Sequence, residues 1–137
     1  MPSTAAIKAT IEQSLVTALP TVPTDFRNVP FTPPAGQAWL RVWVLWGASQ
    51  RRTMQPTKTN MLLGLVQVDI FTPQSIGEGV GMRLADQVRA VYNRRELSSV
   101  RFDVPSGPIP LEQETINQQI WERSSIRCNF NAEETAP

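Results

Sequence analysis

Histidine is absent from this 137-residue chain, and cysteine occurs once, at Cys128. The first absence removes the commonest general base and the commonest metal ligand. The second excludes an internal disulfide and, with no histidine, a Cys–His pair. No carboxylate cluster has metal-ligand spacing. Glu112 and Glu114 would point the same way on a strand, but they stand alone. Acid is missing from the whole stretch between Asn28 and Val68, which nonetheless carries Arg41, Arg51, Arg52 and Lys58. No apolar run approaches the roughly 18–20 residues of a membrane helix. No secretory leader is expected either. Catalysis, a metal, a cofactor and a membrane partner are therefore not expected. A soluble cytoplasmic binding module or structural assembly protein is.

The composition is otherwise that of a globular protein: 41% hydrophobic, 18% charged, net charge +1. At this length the expectation is one domain over residues 1–137, burying roughly two-thirds of the surface its unfolded chain exposes. Near-neutral charge gives no general attraction to DNA or to an acidic membrane. The proline count, 12, is high. Most of the prolines lie between predicted elements.

The densest signal is Ala38–Trp46, A-W-L-R-V-W-V-L-W, which holds three of the four tryptophans. β-Branched and aromatic enrichment without glycine or proline predicts a strand. Leu40, Val42, Val44 and Trp46 form one face, the candidate core face. Trp39, Arg41, Trp43 and Leu45 form the other, which is too apolar for a solvated surface. Either another element of the chain covers that face or a second protein does.

The other elements arrange around this strand. Ser3–Leu19 reads as an amphipathic helix with Ile7, Ile11 and Leu15 on one stripe, ended by Pro20. Thr21–Gln37 is an extended, proline-rich connection with apolar Phe26, Val29 and Phe31. Residues 48–60 read as a long hairpin loop, locally basic through Arg51, Arg52 and Lys58. Such a loop is either solvated and mobile or a contact for phosphates or an acidic partner.

Met61–Phe71 predicts a second strand, with Val66, Val68 and Ile70 opposite Gln67 and Asp69. Gly77 and Gly79 precede, and Gly81 opens, a second helix, Val80–Asn93. They match neither the Rossmann nor the P-loop pattern, and a turn accounts for them. Ser99–Pro105 and Ile120–Phe130 complete the strands. Ile109–Gln118 is ambiguous, Trp121 sits on the outward parity, and residues 131–137 read as a frayed acidic tail. The fold expected is α+β: a mainly antiparallel four- to five-stranded sheet with two helices on one face.

Two blocks carry a family likeness. Asn28-Val29-Pro30-Phe31-Thr32-Pro33-Pro34 leads into Trp39-Leu40-Arg41-Val42. Gly64-Leu65-Val66-Gln67-Val68-Asp69-Ile70-Phe71-Thr72-Pro73 leads into a glycine-containing turn and a helix. In this order, from residue 3 to about 130, the chain resembles the lambda-type phage tail terminator (tail completion) proteins and their prophage relatives. The resemblance implies a non-enzymatic subunit of a homo-hexameric ring at the head-proximal end of the virion tail, assembled in the host cytoplasm. The ring would cap the tail tube and end its polymerisation. Its partners would be the major tail tube protein and a head-completion protein, with DNA passing through the channel without sequence-specific binding. Trp39, Arg41, Trp43 and Trp121 would then lie in a subunit or tube interface, and Arg51, Arg52 and Lys58 would face the lumen or a partner. Two other readings stay open: another neck or tail-tube component, and a nucleic-acid-binding adaptor using the basic loop.

Overall fold

The structure, a computed structural model, describes residues 4–26, 30–34, 36–51, 59–74, 78–97, 100–116 and 118–135. Helix α1 spans Thr4–Ala18 and strand β1 Thr24–Phe26. The long strands β2 (Trp39–Arg51) and β3 (Thr59–Pro73) follow, then helix α2 (Glu78–Tyr92). The chain ends in β4 (Glu96–Leu97), β5 (Val100–Phe102), β6 (Ser106–Ile116) and β7 (Gln119–Thr135).

The α+β expectation holds, but the sheet has seven strands, not four to five. The path runs β1-β2-β3-β7-β5-β4, and β6 also pairs with β7. β5 and β6 share one edge of β7 end to end, against residues 130–132 and 119–127. The missed strands are β1 and β4, which are too short to show a period. β1 lies inside the proline-rich connection and pairs parallel to β2, the one parallel pairing among the described strands.

Two expected irregular segments are strand instead. β2 continues to Arg51 and β3 begins at Thr59, so residues 48–51 and 59–60 of the predicted loop are strand, and the rest of it lies outside the described residues. The predicted acidic tail is also strand as far as Thr135, because β3 pairs with β7 through Thr59↔Thr135. In both cases a long partner strand supplies backbone hydrogen bonds to polar residues that have no pattern of their own. Conversely, β5 stops at Phe102, and Val104, expected on its apolar face, is exposed. β6 starts at Ser106, directly after the predicted strand Ser99–Pro105. Gly107, at φ +114, lies in its register shift, where an added Cβ would stand 2.5 Å from the Ser125 carbonyl oxygen. Only glycine fits there.

Both helices pack into the same core as the predicted sheet face. Ile7, Ile11 and Leu15 of α1 meet Leu84, Ala85, Val88, Val91 and Tyr92 of α2. Beneath them lie Leu40, Val42, Val66, Val68, Ile70, Ile126, Cys128 and Phe130. The 3.6-residue stripe and the two-residue alternation point at each other, and burying both holds the layers together. Helix α2 ends at Tyr92, and just beyond it Arg94 takes the left-handed conformation at φ 52.

Two titratable groups are sealed in this core. The Tyr92 hydroxyl donates to the Ile11 carbonyl at 3.3 Å, and burial raises its pKa. Burial likewise pushes the Cys128 thiol up to about 11, despite its contact with the Asp103 carbonyl. An unfolded chain ionises these groups from about pH 9 and 10, while the folded chain keeps both protons. Stability is therefore fully present below pH 9 and falls as pH rises above it. Each group contributes a slope of up to about 1.4 kcal/mol per pH unit. Urea titrations between pH 8 and 11 check this: the fall should flatten in Cys128→Ala and Tyr92→Phe. Slopes unchanged in both variants would rule these groups out as its cause.

Candidate interaction surface

The sheet face away from the helices is divided in two. Its half near the start of β2 is closed by the chain itself. Trp39 stacks on Phe71, with centroids 4.0 Å apart and planes 4° apart. Trp121 meets Trp39 edge-on at 5.8 Å, and Phe31 lies against it at 5.2 Å. Ile116 completes this second, smaller core. Trp39 and Trp121, expected at a subunit or tube interface, are in fact buried within one chain. The covering elements are the proline-rich connection, through Phe31, and the β6–β7 hairpin. Of the two explanations for this apolar face, a covering element of the same chain holds at this end.

Arg41 roofs the cluster. Its guanidinium lies 4.8 Å from the Phe71 ring centre and 5.4 Å from that of Trp39. Its Nε pairs with Asp25 at 3.2 Å and its Nη1 with Glu114 at 3.2 Å; Glu114 also meets Arg123 at 3.7 Å. The side chain is about one-fifth exposed, and its charge is answered within the chain. Arg41, on β2, thus ties β1 beside it to β6, which lies beyond β3 and β7. Beside it, buried Asp69 accepts a 2.9 Å bond from Gln67.

The other half of this face is open. Trp43 is half-buried and stands in register with Gln67 and then Arg127. The next row is Leu45, Leu65 and Asn129. Cross-strand partners share a face, so Trp43, Leu45, Leu65 and Arg127 form one contiguous patch. Leu45 is 42% exposed, Leu65 half-buried and Arg127 exposed. Arg51 is the last residue of β2, paired with Asn60, whereas Arg52 and Lys58 of the basic segment lie outside the described residues.

A second surface lies on the opposite side, between the β6–β7 hairpin and the start of α2. A groove of about 350 Å³ is lined there by Thr72, Met82, Pro108, Pro110, Glu122 and Ser124, among others. Met82 (57%) and nearby Ile120 (41%) are exposed. Sequence reasoning missed this surface because Ile109–Gln118 shows no clean period. Among the described residues no three potential metal ligands are gathered, and no helix is long and apolar enough to cross a membrane.

This is an α+β protein whose two open surfaces mix apolar side chains with unlike charges, the make-up of protein–protein contact surfaces. The chain belongs to the phage tail terminator protein family, which it matches over residues 4–130. Membership gives it a structural role in a phage tail. No curated protein matches the chain. Sixteen chains of solved structures do; one, carrying no functional name, covers 100% of this chain and 99% of its own length, with TM-score 0.67 and 21% identity. That likeness carries the fold alone.

Proposed function

We propose that this protein forms a hexameric ring that caps the tail tube, ends its polymerisation and offers a joining surface to a head-completion protein. The family match over residues 4–130 carries the reading. The open sheet face supports it, since the chain's own fold leaves an apolar patch wet that further copies would bury. The ring sits at the head-proximal end of the tail and is assembled in the host cytoplasm. DNA passes through its channel without sequence-specific contact, in keeping with the near-neutral net charge. The acid-free segment carrying Arg51, Arg52 and Lys58 faces the channel or the tube.

Deleting the gene from the phage tests this reading. The expected result is tubes of uncontrolled length without joined heads, seen by electron microscopy, and normal tails when the protein is supplied in trans. Tails of normal length in the deletion, or long cylinders formed by the purified protein alone, would overturn it. The second outcome would mark a tube subunit instead.

A further inference from the structure

A closed ring of identical copies needs two different patches on each subunit, because a head-to-tail contact joins unlike surfaces. We propose that the open sheet face of one copy, Trp43, Leu45, Leu65 and Arg127, receives the β6–β7 hairpin of the next. Ile120 lies on the apolar residues and Glu122 meets Arg127. The proposal rests on the ring reading and names the surfaces that close it.

Three observations carry it. The charges are complementary: Arg127 beside the uncharged Trp43, Leu45, Leu65 and Gln67 on one patch, with the nearest carboxylate of that face, Asp69, buried, and Glu122 on the other. Both residues are exposed, and neither joins an ion pair among the described residues. Glu122 only accepts a hydrogen bond, 2.6 Å long, from Gln113 of its own hairpin.

The apolar components also match, exposed Leu45 with half-buried Trp43 and Leu65 against exposed Ile120 and Met82. Finally, the two patches cannot satisfy each other within one chain. Arg127 and Glu122 lie on the same strand, β7, five residues apart, and so on opposite faces of the sheet. Each copy can therefore offer one patch and fill the other at once, which a ring requires.

Charge reversal of these exposed residues tests the contact without disturbing the core. Glu122→Lys alone sets two cations against each other at every contact, and Arg127→Glu alone sets two carboxylates there. Each variant by itself should assemble about tenfold or more weakly than the wild-type chain, read by light scattering or by co-sedimentation with purified tail tubes. An equimolar mixture of the two restores opposite charges at every contact of an alternating six-membered ring, so assembly should return to near the wild-type level. Ile120→Ser should weaken assembly with no change of charge. Variants that assemble like the wild type, or a mixture that recovers nothing, would refute the contact while leaving the ring intact. A wild-type chain that forms no ring, alone or on tubes, would remove the reading beneath it as well.

Discussion

Trp39→Ala should cost about 3–5 kcal/mol of unfolding free energy, the range for truncating a buried tryptophan. That is a large share of the roughly 5–15 kcal/mol typical of a domain. The indole is fully buried, and three aromatic rings depend on it: Phe71 face to face, Trp121 edge-on and Phe31 tilted. Its loss would leave a cavity under Arg41 and loosen the two elements that close this face. Trp39→Phe should cost much less, because the stacked ring survives and the indole Nε1 has no acceptor among the described residues to lose. Arg41→Met is expected to cost less still. Its partners Asp25 and Glu114 are 23% and 34% exposed, so water can take over much of their solvation. Urea melts of the three variants, at concentrations too low for self-association, give the order. An alanine variant as stable as Trp39→Phe would mean that this second cluster contributes little to stability.

The main core was legible in the sequence because periodicity alone encodes it. Ile7, Ile11 and Leu15 recur with the helical turn, and Val66, Val68 and Ile70 alternate with the strand, and all six are buried where expected. Trp39 was legible as anomalous but not as buried, since its cover comes from Phe31, Ile116 and Trp121. Two of those three lie more than 70 residues away in the sequence. No local pattern records such a contact. The extended ends of β2, β3 and β7 were hidden for a related reason. Polar residues such as those after Gly47 and beyond Phe130 become strand only because three long backbones run side by side there. The acid-free stretch between Asn28 and Val68 was plain in the sequence. Its neighbour Arg127, which gives the open face its charge, enters from another strand and emerges only from the register Gln67↔Arg127.

Gly64→Ala should destabilise the chain by about 1–3 kcal/mol, an overpacking cost. Gly64 stands between Trp46 on β2 and Phe130 on β7. The Phe130 ring lies over the space a side chain would fill: a Cβ there would collide with Cζ and sit 2.7 Å from Cε1. The ring cannot swing away freely. It is buried, with Trp46 edge-on at 5.7 Å and Phe102 at 6.1 Å. The glycine therefore serves its neighbour: without a Cβ, it lets one aromatic residue lie across two strands and extends the core toward the exposed indole of Trp46. A double-mutant cycle separates this from a backbone effect. In a Phe130→Ala background the ring clash is gone, so Gly64→Ala should cost clearly less than in the wild type, with the difference measuring the coupling. Some cost should persist, because the same Cβ would lie 2.9 Å from the Leu45 carbonyl oxygen. Equal costs in the two backgrounds would assign the penalty to the strand backbone and leave the Phe130 ring no part in selecting glycine at position 64.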